Sequence, residues 1–403
     1  MLDNEFPPLG GGTGVVNLHL LDEMAARPDV TVDLVTSSRT KARYETEAFA
    51  DRITIYKVPV DNHNIHHATN RELVRYSWRG LRLARQLASK HQYDVSFAFA
   101  GVPAGAISYL LRLTHGLPYV LSLQGPDVPG FEARYNYLYP VLTPFITRIW
   151  RQAGAVTAIS AEQVALAHRT MPDLPLVTIP NGVDTKAFVP ATGTPGRPFT
   201  MICVARLIER KGQHHLLQAF AKLRAATHEP ISLIFVGTGD AEPQLRELAA
   251  ELRVTEAVTF KGFVPREHMP PVYHAADVFV LPSQHEGMSI ALLEAMASGL
   301  PVVVTDTGGT AELVTQGTNG EIVPWADVQA LTTALQRLLN AAEQRGRMGD
   351  ESRRRALAFG WPALAARYLE LCARVAVPSV ESRAKDTRGS EKMSRDWTRE
   401  PRV

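Results

Sequence analysis

The chain reads as an α/β protein built from two parallel-sheet domains. Three observations say so. Short apolar, β-branched runs alternate with longer amphipathic stretches, a rhythm that places helices over parallel strands. The same rhythm starts again in the second half. A loop rich in Pro, Gly and Thr, 190–198, separates the halves, and 403 residues exceed what one ordinary core needs.

In chain order, the first half offers strands at 31–36, 53–58, 94–99, 119–123, 156–159 and 176–179, with helical patterns at 15–26, 71–90 and 104–113. The opening strand looks too short, because only Met1 to Asn4 precede the Glu-Phe-Pro-Pro turn and strands usually run about 5–6 residues; a start internal to a longer chain would explain it. The second half offers strands at 200–204, 232–236, 258–261, 278–281 and 301–304, and a helical pattern at 213–223. A last helical pattern, 361–375, follows a break at Phe359-Gly360. From Pro378 the composition turns charged and poor in aliphatics, the signature of a disordered tail.

Bulk properties exclude several classes. A net charge of +2 does not point to nucleic acid. No apolar run is long enough to span a membrane, and the first residues lack the basic and apolar regions of a secretory signal. The two cysteines, Cys203 and Cys372, lie in apolar or helical patterns and read as buried thiols of a reducing, cytoplasmic compartment.

The most informative stretch is HEGMSIALLEAMASG, 285–299. Glu286 and Glu294 stand eight positions apart across the start of a helix, a rise of about 12 Å. That span matches the distance from the sugar to the ribose of a sugar nucleotide. A helix start favours an anion, so the amides of Gly287, Met288, Ser289 and Ile290 suit the diphosphate. Upstream, VARLIERKG places Arg206 and Lys211 after a strand, where ligands bind in open α/β sheets. Two cations there can neutralise a leaving diphosphate, although alone they read as a surface charge pair. Gly237 in FVGTGD, and Gly262, Phe263 and Val264 in FKGFVP, follow strands and can open a slot for a flat base; turns after strands often carry glycine anyway.

In the first half, the loop Gly10-Gly11-Gly12-Thr13-Gly14 lets the backbone approach a ligand. It does not match G-x-G-x-x-G, and the strand at 31–36 ends without an acidic residue, so a dinucleotide is disfavoured. Gln124 and Asp127 follow the strand at 119–123 and face the acceptor or donor sugar, unless Asp127 merely shapes an Asp-Pro-Gly turn. His63, His66 and His67 lack a structural-zinc spacing, and no metal site is expected. Residues 71–90 form a basic amphipathic helix, with Arg71, Arg75, Arg79, Arg82 and Arg85 around Trp78. Such a helix suits an anionic membrane surface or a lipid-diphosphate acceptor, or else a solvated face whose Arg stems cover the core.

Taken together, GGGTG, IPNGVD (179–184), VARLIERKG, FVGTGD, FKGFVP, HEGMSIALLEAMASGLPVV and GGTAELV (308–314) make the chain similar to the family-4 retaining glycosyltransferases. The resemblance implies two Rossmann-like domains facing across a cleft, the GT-B fold. It implies an acceptor domain at 1–190, a nucleotide-sugar domain at 191–359, a crossover helix at 360–376 and a tail at 378–403. It also implies sugar transfer with retention from a nucleotide sugar to a glycan or lipid-linked acceptor, with no cofactor or bound metal, in cell-surface polysaccharide or glycolipid synthesis. Arg206 and Lys211 would stabilise the leaving diphosphate, Glu286 would hold the donor sugar, Glu294 the ribose, and Gly11 and Gly12 would approach phosphate or acceptor. Many relatives carry His where Gln124 stands; Gln cannot ionise, which excludes acid–base work there and leaves a neutral hydrogen bond. With no clear nucleophile, a front-side mechanism is expected. A non-catalytic sugar-nucleotide-binding protein and a sugar-nucleotide epimerase are the competing readings.

Overall fold

A computed structural model describes residues 1–62, 68–125, 127–131, 137, 139–191 and 197–376. His63, His66 and His67, most of the 190–198 linker and the expected tail lie outside the described residues.

The chain folds as two compact units, 1–157 with 170–177 and 367 onward, and 158–169 with 178–366. This differs from the expected division at 190/191. Residues 178–190 pack with the second unit because Asn181 Nδ2 donates to the Met288 carbonyl (2.9 Å), Val183 N donates to the Phe359 carbonyl (2.9 Å), and Arg353 reaches the carbonyls of Thr185 (2.9 Å) and Phe188 (2.6 Å). The helix Trp361–Val375 is divided between the units at 366/367.

In the first unit the strands are β1 (Val32–Ser38), β2 (Glu45–Ala50), β3 (Ile53–Pro59), β4 (Ser96–Phe99), β5 (Tyr119–Ser122), β6 (Ala155–Ala158) and β7 (Leu176–Thr178). They run in the orders β1-β3-β2 and β4-β5-β6-β7, and β2 is antiparallel to β3. The short opening segment joins the two groups. Leu2 bridges Val35 of β1 and Ala98 of β4 in parallel sense, with Leu2 N to the Phe97 carbonyl at 2.8 Å and Val35 N to the Met1 carbonyl at 3.0 Å. A few residues suffice here because both sides are paired and Leu2 is buried. Helices Gly12–Ala25, Asn70–Lys90, Ala106–His115 and Tyr139–Gln152 belong to this unit. Asn70–Lys90 starts in a capping box, with Thr69 Oγ1 accepting from Glu72 N and the Glu72 carboxylate accepting from Thr69 N.

The second unit holds β8 (Phe199–Val204), β9 (Ile231–Val236), β10 (Val258–Phe260), β11 (Val278–Leu281), β12 (Val302–Thr305) and β13 (Gly320–Val323), in the order β10-β9-β8-β11-β12-β13 and paired in parallel throughout. These strands are nearly continuous apolar runs because helices cover both faces; Met201, Ile202, Cys203, Leu233, Phe235, Phe279 and Val303 are fully buried. The chain winds outward from β8 to β10, returns, and winds the other way from β11 to β13. The strand order therefore reverses between β8 and β11, and a crevice opens at the carboxyl ends of such a pair. No described helix is long and apolar enough to cross a membrane.

Candidate functional site

The loops after β8 and β11 flank that reversal, and an ion pair joins them. Lys211 Nζ lies 2.5 Å from Glu286 Oε1, and both side chains are largely buried. The Ser283 hydroxyl donates to the same Oε1 at 2.7 Å. Both donors use Oε1 and neither uses Oε2. Lys211 closes a single 3₁₀ turn, Glu209–Lys211, followed by Gly212 at φ +70°. A Cβ on Gly212 would stand 2.0 Å from the Pro282 carbonyl oxygen, so only glycine lets the loops approach this closely. Gln284 N donates to the Arg210 carbonyl (2.8 Å), and Gln213 Nε2 to the Arg206 carbonyl (2.9 Å). Arg206 and Lys211 thus share one braced loop, and Glu286 stands against it.

The helix in the informative stretch begins later than expected. It spans Ile290–Ala297, with Ser289 as its cap accepting from Leu292 N at 3.2 Å. Only Ile290 to Glu294 is helical, a rise of about 6 Å, and Glu286–Met288 is loop. That corrects the 12 Å helical ruler: the two carboxylates are set apart by a loop plus one helical turn. The signal was legible, since Ser289 is a favoured cap and stands two residues after Gly287. The loop is held from outside by Asn181 on the Met288 carbonyl and by Gly309 N on the Gly287 carbonyl (2.6 Å). A Cβ on Gly308 would stand 1.7 Å from the Glu286 carbonyl oxygen, which explains the glycine pair in GGTAELV.

Glu294 is buried among three elements. Tyr273 of the short helix Met269–His274 donates its hydroxyl to Glu294 Oε2 at 2.9 Å, and Arg266 of the turn Arg266–His268 lies 3.2 Å from Oε1. Burial pushes the Glu294 carboxyl above its usual range; Arg266 and the Tyr273 hydrogen bond oppose that. The neighbouring loops after β9 and β10 are tied by Gly237 N to the Gly262 carbonyl at 2.8 Å. Gly237 has φ +124°, and a Cβ there would meet the Ala205 carbonyl oxygen at 2.1 Å. A Cβ on Gly262 would meet nothing, Phe263 is 64% exposed, and Val264 is half-buried. Arg206, Lys211, Gly237, Gly262–Val264, Glu286–Ile290 and Glu294 therefore all belong to the carboxyl-end rim of one sheet.

The candidates of the first unit are engaged differently. Gly11 N donates to Glu5 Oε2 at 2.9 Å, and Gly12 opens the helix Gly12–Ala25. Asp127 accepts from Gly101 N (2.7 Å) through one oxygen and from Gln124 N (2.9 Å) through the other, while Gln124 Nε2 donates to Ser122 Oγ at 2.8 Å. Burial raises the Asp127 carboxyl above its usual range, and these amides work against that. Asp127 ties the loop after β5 to the start of the segment after β4. Sequence reasoning missed Ser283, Asn181, Tyr273 and Arg266. Asn181 was visible only as part of IPNGVD; the others are ordinary residues whose partners lie on other elements.

The model for glycosyl transferases group 1 matches residues 184–355, and the model for glycosyltransferase family 4 matches 10–187. A GDP-mannose-dependent alpha-(1-6)-phosphatidylinositol monomannoside mannosyltransferase of Mycolicibacterium smegmatis is 30% identical over 92% of this chain and 97% of its own length. The putative colanic acid biosynthesis glycosyltransferase WcaL of Salmonella typhimurium is 32% identical over 63% of each chain. Among solved structures, sucrose-phosphate synthase from Thermosynechococcus elongatus superposes with a TM-score of 0.78 at 22% identity, covering 90% of this chain and 92% of that one. Anabaena HepE in complex with UDP and glucose reaches 0.71 at 20% identity, covering 92% and 98%.

Proposed function

This chain belongs to the family-4, group 1 glycosyltransferases and is a glycosyltransferase of the GT-B class; from that premise we propose that it transfers mannose, with retention and without a metal, from GDP-mannose to a lipid-linked or glycan acceptor at an anionic membrane. The observation that carries the site is the Lys211–Glu286 pair across the strand-order reversal, with Ser283 fixing the same carboxylate oxygen. The diphosphate lies at Arg206, Lys211 and the amides of Gly287–Ile290. Lys211 has three N–H donors and can hold Glu286 and a phosphate oxygen together. Glu286 Oε2 accepts from donor-sugar hydroxyls, Glu294 holds the ribose, and the base lies by Gly237 and Gly262–Val264. Gln124 and Asp127 serve the sugar side, Asp127 by holding the Gln124 backbone. Gly11 and Gly12 approach the phosphate or acceptor.

In the step itself, the bond from the anomeric carbon to the phosphate oxygen breaks. The acceptor oxygen bonds to that carbon on the same face, and its proton passes to the departing phosphate. Arg206 and Lys211 stabilise the charge that builds on the diphosphate, usually the largest single contribution to such catalysis. The donor choice is supported by the GDP-mannose-dependent relative. The membrane is supported by one exposed stripe on the helix Asn70–Lys90, where Val74 (68% exposed) and Trp78 (71%) alternate with Arg71, Arg82 and Arg85, and by Val141 (78%) and Phe145 on Tyr139–Gln152.

The test is turnover with GDP-mannose and UDP-glucose in the presence of EDTA, the product's anomeric configuration being read by NMR. Release of GDP that needs an acceptor and survives EDTA, with an α product, is expected; a β product, or a requirement for divalent metal, overturns the mechanism. Flotation with phosphatidylglycerol vesicles, absent with phosphatidylcholine alone and lost in Trp78→Ala with Arg82→Glu, is the expected membrane result.

A further inference from the structure

The nucleoside side of the site contains a charged residue, Arg266, that the reading above leaves without a task. Glu294 has a side chain only 8% exposed. Such a carboxylate is costly to keep ionised without a cation. Arg266 supplies one at 3.2 Å from Oε1, and its guanidinium stands 5.7 Å above the Phe188 ring, which helps fix its direction. Tyr273 has one O–H and two acceptors within reach, Glu294 Oε2 at 2.9 Å and the Ala291 carbonyl at 3.2 Å. With Glu294 ionised the hydroxyl points to the carboxylate. With Glu294 protonated it can turn to Ala291 and accept the new proton donor. The cluster therefore has two hydrogen-bonding arrangements, and only the ionised one presents a carboxylate with acceptor capacity to spare for two vicinal hydroxyls.

We propose that Arg266 is a positioning residue of the nucleoside subsite: it keeps Glu294 an oriented accepting carboxylate and so makes the enzyme prefer ribonucleoside over 2′-deoxyribonucleoside diphosphates. This rests on the assignment of Glu294 to the ribose. The charged and titratable groups around Glu294 are Arg266 and Tyr273. Cys203 of β8 acts on Tyr273, and Arg353, from the helix Ala342–Ala356 packed on Ile290–Ala297, donates to the Ala297 and Phe188 carbonyls. Burial raises the Glu294 carboxyl and Arg266 holds it down. Without Arg266 the proton is retained to higher pH, so ribose binding is lost on the acid side and returns as pH rises.

The experiment is calorimetric binding to the full chain between pH 6 and 8.5. The probes are GDP and UDP, and the 2′-deoxy analogue of whichever binds more tightly. The wild type is expected to favour the ribonucleotide by about tenfold, as for a charge-assisted hydrogen bond. Arg266→Gln should lose most of that preference at pH 6, regain part of it at pH 8.5, and bind the deoxy analogue as the wild type does. Arg266→Lys, which keeps the charge, should hold the preference within about threefold and leaves a readout if the Gln variant does not fold. Glu294→Gln separates the two ideas. If it abolishes the preference while Arg266→Gln keeps the wild-type preference at pH 6, Arg266 has no such role and the ribose assignment stands. If Glu294→Gln leaves ribonucleotide binding and the preference unchanged, the ribose assignment itself falls. If Arg266→Lys loses the preference as fully as Arg266→Gln, charge is not what Arg266 contributes and the proposal is overturned.

Discussion

The glycine-lined loops of the two units differ in where their polar groups are spent. At the rim of the second sheet, side chains from separate loops converge on one carboxylate oxygen, Lys211 and Ser283 on Glu286 Oε1, and leave the other oxygen unused by either. In the first unit the carboxylates are spent on backbone amides: Glu5 takes Gly11 N, and Asp127 takes Gln124 N of its own loop and Gly101 N of the segment after β4. One rim gathers side chains from separate loops on a single carboxylate oxygen; the other spends its carboxylates on backbone amides. Chemistry should therefore be sensitive to single side chains in the second unit and tolerant in the first.

The largest effect tests the cations. Lys211→Ala and Arg206→Ala should each lower kcat by on the order of 10²-fold or more with folding intact, because charge stabilisation in the transition state is what they are assigned; near-normal turnover in both removes the assignment. Next is Ser283→Ala, which takes a hydrogen bond from an ionised group and should cost about tenfold in kcat with a smaller change in KM, while Ser283→Thr restores most of it. A larger effect on thermal stability than on kcat would mean that Ser283 only packs. A smaller effect sharpens the contrast: Glu5→Gln keeps an acceptor for Gly11 N and should change kcat/KM by less than about threefold, as expected of a group bonded within its own loop. A tenfold loss would mean that the Glu5 carboxylate, and not only the approach of Gly11 and Gly12, matters to the chemistry. Smallest is thiol reactivity. Burial pushes Cys203 and Cys372 up to about 12, so both stay protonated at pH 8, thiolate forms only as pH rises towards that value, and native protein should leave a thiol reagent nearly unconsumed until denaturant is added.

Several features were legible because they are local. Buried strands such as Val278–Leu281 and Ile231–Val236 are apolar runs bounded by turn residues, and Trp361–Val375 follows its break at Gly360. The strand Glu45–Ala50 was not legible: ETEAFA is a sheet-edge strand with none of its residues buried, and its apolar run is only Ala48–Ala50. The strand Gly320–Val323 was missed for its polar second residue, Glu321, which is buried and bonded to Gln316. Glu286, Glu294, Arg206 and Lys211 were legible as residue types at positions where a sheet exposes its loops. That Lys211 and Glu286 touch was not, since 75 residues separate them.

By itself the sequence determined most of the buried strands and the longer helices, where each half begins to repeat the pattern, and which loops carry charge and glycine. These follow from side-chain periodicity and backbone sterics, which act over a few residues. The tertiary structure alone decided that the β8 and β11 loops are neighbours, that Asn181 props the Met288 carbonyl, that the helix starts at Ile290 and not at Glu286, and that Arg266 sits on Glu294. Strand order sets those contacts, and it is a property of how distant apolar faces find one another, which no short stretch of chain encodes.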